Sequence, residues 1–108
     1  MRILVSIIAV LFGGAVLIVD AADETAAMAL ARKSGCLTCH SVDKKKVAPA
    51  YKEIAAKYKG KPDAGQKLVT HLTTNPKVNL DGKEWAHENL KTKNDAEVKN
   101  VVGWILSR

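Results

Sequence analysis

The sequence predicts a small, single all-α domain behind an export segment. Three observations carry this. In the later candidate segments, apolar residues recur three and four positions apart, the spacing of one helix face. Capping residues or Pro open the segments, and Gly or Pro closes the first three. No alternating strand pattern and no internal repeat appears along the chain.

The chain opens with Met1 and Arg2, and Ile3–Val19 is apolar apart from Ser6, Gly13 and Gly14. Val19-Asp20-Ala21 offers small residues at the −3 and −1 positions of a cleavage site after Ala21. A positive start, an apolar middle and a small-residue exit read as a secretory signal peptide over residues 1–21. The alternative is a retained membrane anchor, but the run falls short of the roughly 20 residues of a comfortable span. The domain is then residues 22–108. Cleavage removes Arg2 and Asp20 together, so the formal charge of +6 is unchanged. A domain of this size buries too little apolar surface to be comfortable alone and usually needs a staple. The two cysteines, three positions apart, close almost no loop, so a disulfide between them would constrain little.

Asp23 is the expected N-cap of a first, Ala-rich helix running to Lys33 and containing Met28 and Leu30; Gly35 ends it. Ser41–Val47 is a polar loop carrying Lys44, Lys45 and Lys46. Pro49 opens a second helix, Ala50–Lys59, with Tyr51, Ile54, Ala55 and Tyr58 on its face and Gly60 at its stop. Asp63 caps a third helix, with Gln66 as a capping-box partner, Leu68 and Leu72 on one face and Pro76 as terminator. Lys77–Thr92 has little periodicity and reads as a long functional loop. Asn94 and Glu97 open the last helix, whose stripe is Val98, Val101, Val102 and Ile105.

Cys36-Leu37-Thr38-Cys39-His40 is C-x-x-C-H, the c-type haem attachment pattern. On a helical turn, the two cysteines reach the two vinyl groups of one haem as thioethers. His40 then supplies the proximal nitrogen to the iron. Covalent haem attachment occurs outside the cytoplasm, so the motif and the export segment agree independently. A thioredoxin-type redox pair would need a βαβ setting that is missing. A zinc site would have to recruit His71 and His87 from far downstream, which matches no compact zinc module.

The arrangement resembles the small bacterial class I cytochromes c over nearly all of residues 22–108. The likeness rests on Gly35-Cys36-Leu37-Thr38-Cys39-His40, on Val47-Ala48-Pro49-Ala50-Tyr51-Lys52 and on the closing Val102-Gly103-Trp104-Ile105-Leu106. Ala48 stands where that family usually has glycine. The resemblance implies a fold of about four helices wrapped around one covalently bound haem. It implies that the Pro49 carbonyl accepts a hydrogen bond from the second nitrogen of His40, fixing the tautomer and strengthening the ligand. It also implies that the first and last helices cross, with Trp104 and Leu30 near the contact.

The family usually sets a methionine on the far side of the iron, in the loop before the last helix. This sequence has only Met1 and Met28. The first leaves with the export segment, and the second precedes the haem motif. His87 lies in the expected loop, and neutral imidazole is a good iron ligand. We therefore expect His40 and His87 as the metal ligands. His71 sits mid-helix and, by the family pattern, near a haem propionate, to which it would donate. Lys83, Asn89 and Lys91 are weaker ligand candidates. Trp85 offers an indole N–H to a propionate or to the loop backbone and a ring to shield the haem; equally, it anchors the loop to the domain surface.

These residues imply a periplasmic electron carrier with one haem c, bis-histidine ligated. Its potential should lie below that of methionine-ligated relatives, because a thioether favours the ferrous state. Lys44, Lys45, Lys46, Lys52, Lys57, Lys59 and Lys61 suit redox partners with acidic docking patches. An exported haem protein makes nucleic acid an improbable partner for this charge. No nucleophile–base pair, phosphate loop or paired carboxylate argues for an enzyme. Two other readings stand beside the carrier. One is a small-gas-binding haem protein or sensor (NO, CO or O2) with an open or labile sixth site. The other is a haem-bearing subunit held on the membrane by an uncleaved Ile3–Val19.

Overall fold

The computed structural model describes Gly13 and residues 22–108. The proposed export segment, Gly13 apart, lies outside the described residues. Among the described residues no helix is long and apolar enough to cross a membrane. The element order is α1 Glu24–Lys33, α2 Cys36–Cys39, α3 Tyr51–Tyr58, α4 Ala64–Thr73, β1 Lys77–Leu80, β2 Lys83–Ala86 and α5 Asp95–Leu106.

Local chemistry accounts for most of these boundaries. The Asp23 carboxylate accepts from the Ala26 amide at 3.0 Å and caps α1. Gly35 follows with φ +77°, a left-handed turn that swings the chain directly into the single turn of α2. Ala50, not a helical residue, is the N-cap of α3; its amide donates to Glu53 Oε2 at 3.1 Å. Asp63 precedes α4 but does not bond its amides, so the expected capping box with Gln66 is absent. The carboxylate instead pairs with Lys67 at 3.1 Å, one turn on. The Asn94 side chain accepts from the Ala96 and Glu97 amides and caps α5.

The segment after Pro76 is the main departure from expectation. It is not an irregular loop but an antiparallel hairpin, with Val78 opposite Trp85 and Leu80 opposite Lys83. The turn is Asp81-Gly82, both at positive φ (51° and 78°). Asp-Gly is the dipeptide that a two-residue turn of this hand selects. The hairpin is exposed, with β2 solvent-facing throughout, so it carries no long apolar alternation to announce it.

The core gathers on α5, which packs against α1, α3 and α4. Val98, Val101, Val102, Trp104 and Ile105 are buried, together with Ala27, Tyr51, Leu68, Leu72 and Leu90. Leu30 packs against this cluster from α1. Trp104 is 1% exposed and meets the Tyr51 ring edge-on at 5.3 Å. Trp104→Ala is expected to destabilise by about 3–5 kcal/mol, the range for deleting a large buried aromatic. Trp104→Phe should cost much less, because the buried indole N–H has no hydrogen-bond partner among the described residues to lose. Denaturant titration of the two variants checks the contrast; equal losses would refute it.

Candidate functional site

Between α2, α3, α4, α5 and the hairpin lies a cavity of about 760 Å³. Cys36, Cys39, His40, Pro49, His71, Trp85 and His87 all line it, so the sequence-predicted site residues converge on one space, and Tyr51, not among them, lines it too. Its walls are largely apolar: Leu68 and Leu72 from α4, Val101 and Ile105 from α5, and Ile54 from α3.

On one side, the short helix α2 presents both cysteines, each partly buried and unbridged. Burial pushes the Cys36 thiol up, so in the free chain it is held protonated. His40 follows at once. Its Nδ1–H donates to the Pro49 carbonyl at 2.6 Å, which fixes the tautomer and leaves Nε2 with its lone pair free. The Tyr51 ring stacks on His40 at 5.1 Å with a 20° interplanar angle, and Trp104 backs Tyr51 in turn. A buried aromatic column thus orients the imidazole from the core. Burial also raises the Tyr51 phenol, which stays neutral.

His71 and His87 line the same cavity. The His87 ring is 6.2 Å from His40, centroid to centroid, and tilted by 52°. His71 is 4.3 Å from His87, centroid to centroid. Burial depresses the basicity of both His71 and His87, and repulsion from neighbours in their protonated form adds to it: His40 and Lys57 for His71, His71 and His40 for His87. Both are therefore neutral at pH 7, the form in which imidazole binds a metal.

The main chain holds His87 in place. Its amide donates to Pro76 O at 2.7 Å, and its carbonyl accepts from Asn75 Nδ2. The Asn75 amide donates to Asn89 Oδ1 at 2.7 Å, and Asn89 Nδ2 to Thr73 O at 3.1 Å. Asn75 adopts φ +49°, a conformation asparagine tolerates better than most residues. This pair of asparagines clasps the segment carrying His87 to the end of α4. Asn89, one of the weaker ligand candidates, is thereby committed to the backbone. Sequence reasoning missed Asn75; the signal was the Asn75-Pro76 dipeptide, a turn marker.

Trp85 is 52% exposed, beside the cavity mouth, with Lys83 Nζ 5.4 Å from its ring centroid. Val47, 50% exposed, lines the same cavity.

The residues fit an iron porphyrin on the observations of this chain. Taking about 2.0 Å for a metal–imidazole bond, two rings on opposite sides of one metal ion have centroids roughly 6 Å apart. His40 and His87 meet that spacing. His71 and His87, at 4.3 Å, are too close together to flank one metal ion. The His87 Nδ1 atom is buried without a hydrogen-bond partner among the described residues. Two free thiols beside an apolar cavity complete the set.

The chain matches the model of the family described as Cytochrome c over residues 25–108. Cytochrome c-552 of Hydrogenobacter thermophilus is 40% identical over 80 residues, covering 72% of this chain and 76% of that protein. Cytochrome c-551 of Allochromatium vinosum is 38% identical over 82 residues, covering 73% and 82%. Among solved structures, the class 1 cytochrome MtoD from Sideroxydans lithotrophicus ES-1 is 47% identical with a TM-score of 0.77, covering 81% of this chain and 97% of that one.

Proposed function

The chain belongs to the cytochrome c family, carries a covalent c-type haem on its two cysteines, and on that premise we propose that it is a periplasmic electron carrier in which His40 and His87 would hold the iron. At family level the activity is electron transfer rather than catalysis. The observation that carries the ligand assignment is the opposition of His40 and His87 across the cavity at 6.2 Å.

Cys36 and Cys39 hold the group by thioether bonds, and the group supplies a one-electron couple when bound. His40 supplies a nitrogen whose basicity the Pro49 carbonyl raises. His87 supplies the second nitrogen from a segment tied down by Asn75 and Asn89. The clasp holds the backbone of His87 and the stacked Tyr51 holds the His40 ring, so little has to move when an electron is exchanged. The apolar walls keep water out and Trp85 covers part of the mouth. Two imidazoles place the potential below that of methionine-ligated relatives.

The ferric protein should give a bis-imidazole low-spin spectrum in electron paramagnetic resonance and near-infrared magnetic circular dichroism. His71→Ala should leave it unchanged. A high-spin wild type would overturn the assignment and favour small-gas binding; a spectrum lost in His71→Ala would move the ligand to His71.

Exposed Lys44, Lys45, Lys46, Lys57, Lys59 and Lys61 form a positive face towards acidic redox partners, whereas Lys52 is paired with Asp43 at 2.7 Å. Two propionates lower the charge from +6 towards +4 without reversing it. We expect the bimolecular electron-transfer rate with an acidic partner to fall about tenfold or more as salt rises from 10 to 200 mM, because attraction beyond a Debye length is screened. Stopped-flow kinetics measures it; a rate indifferent to salt would remove the steering role.

A further inference from the structure

We propose that His71 is a reserve distal ligand, an imidazole that takes the sixth position on the iron when His87 is withdrawn. The proposal rests on the reading that His87 holds that position at rest.

Three observations carry it. First, two partly buried imidazoles line one cavity with centroids 4.3 Å apart, and the His87 ring is 6.2 Å from that of His40. One distal nitrogen is enough to complete the coordination of a haem iron already bound by His40, so one of the two is in excess. Second, they ride on elements of different solidity. His71 belongs to α4, whose Leu68 and Leu72 are buried in the core against α5. His87 follows directly on an exposed hairpin and is held by hydrogen bonds around Asn75 and Asn89. Peripheral hydrogen-bonded segments open at lower free energy than core helices. His87 can therefore leave while the backbone of His71 stays in place. Third, no hydrogen bond among the described residues restrains the His71 ring, so none has to break for its χ1 and χ2 to change well. Such a change sweeps an imidazole across a gap of the size that separates the two rings.

The exchange is chemically neutral. The bond from His87 nitrogen to iron breaks, one from His71 nitrogen forms, and no electron or proton is transferred. Its consequence is that hairpin opening does not leave an open iron. The chain stays low-spin and redox-competent, and the site stays closed to small gases. A propionate-binding role for His71 predicts none of this, since removing a propionate donor leaves an empty sixth position empty.

The test compares the haem-loaded wild type, His71→Ala, His87→Ala and the double variant. Ferric electron paramagnetic resonance is recorded in imidazole-free buffer, with far-ultraviolet circular dichroism to confirm folding. We expect His71→Ala to match the wild type. His87→Ala should stay bis-imidazole and low-spin with altered g values, and only the double variant should turn high-spin. In the reduced state, carbon monoxide should associate at least tenfold more slowly with His87→Ala than with the double variant, because His71 competes. A high-spin His87→Ala chain that binds carbon monoxide like the double variant overturns the reserve role and leaves His87 as resting ligand intact. A wild-type spectrum retained in His87→Ala and lost in His71→Ala overturns both assignments. A low-spin double variant also overturns the proposal, because another donor then fills the position.

Discussion

A chain prepared without haem, as Cys36→Ser/Cys39→Ser, is expected to lose cooperative folding altogether. The side chains that build the core also wall the cavity: Leu68, Leu72, Val101 and Ile105 are buried and face it. With the cavity unfilled, these residues lose packing on one side. At about 24 cal/mol per Å³, the scale seen for cavities left by core truncation, a dry void of 760 Å³ would cost well over 10 kcal/mol. Water entry lowers that figure but then wets apolar walls instead. The whole stability of a domain is about 5–15 kcal/mol, so either route consumes most of it. The prosthetic group is thus the staple that a domain of this size requires. The measurement is thermal unfolding followed by circular dichroism. The thioether-linked protein should melt in one sharp transition, and the haem-free chain should show reduced helix and no sigmoid. A cooperative haem-free transition within about 2 kcal/mol of the loaded protein would refute the argument.

The proximal half of the site was legible in the sequence because it is contiguous. Cys36, Cys39 and His40 sit within one turn, and Pro49 lies one short loop away. The helices were legible where their ends follow side-chain rules, as at Asp23 and Asn94. At Asp63 the rule failed, because a nearby lysine competed for the carboxylate. The distal half depends on how separate elements meet, which spacing alone does not dictate. His87 was expected at the site because the loop before α5 lacks the family's methionine, and the fold brings it to the cavity wall. The nearness of His71 to it could not, since that requires α4 and the hairpin end to share one wall. The hairpin itself was announced only by Asp81-Gly82, and its exposed strands gave no period-two pattern strong enough to support that turn. The asparagine clasp joins Asn75 to Asn89 across the whole hairpin, a pairing that no local rule reveals.

The second large effect concerns the potential. In a His71→Ala/His87→Met chain the methionine is the sole strong distal donor, and the reduction potential is expected to rise. The direction follows from ligand chemistry. A thioether is a weak donor that favours the ferrous ion, whereas imidazole stabilises the ferric ion. Axial ligands as a class move haem potentials over about 0.8 V, so a single imidazole-to-thioether exchange should raise it by roughly 0.1–0.2 V. His71 has to be removed as well, or its imidazole would compete with the new methionine and hide the shift. Two controls separate ligation from packing. His71→Ala alone should leave the potential near that of the wild type, since His87 remains. His71→Ala/His87→Leu should lose the low-spin spectrum, since leucine occupies similar volume but offers no donor. The clasp through Asn75 and Asn89 binds the backbone at His87 and Asn89, not the side chain at position 87, so the substitution leaves the segment anchored. Spectroelectrochemical titration reads the shift. An unchanged potential in a protein with a clear histidine–methionine spectrum would mean that cavity polarity, not the distal atom, sets the couple. The potential would then be governed by the solvent access that Trp85 and Val47 leave at the mouth.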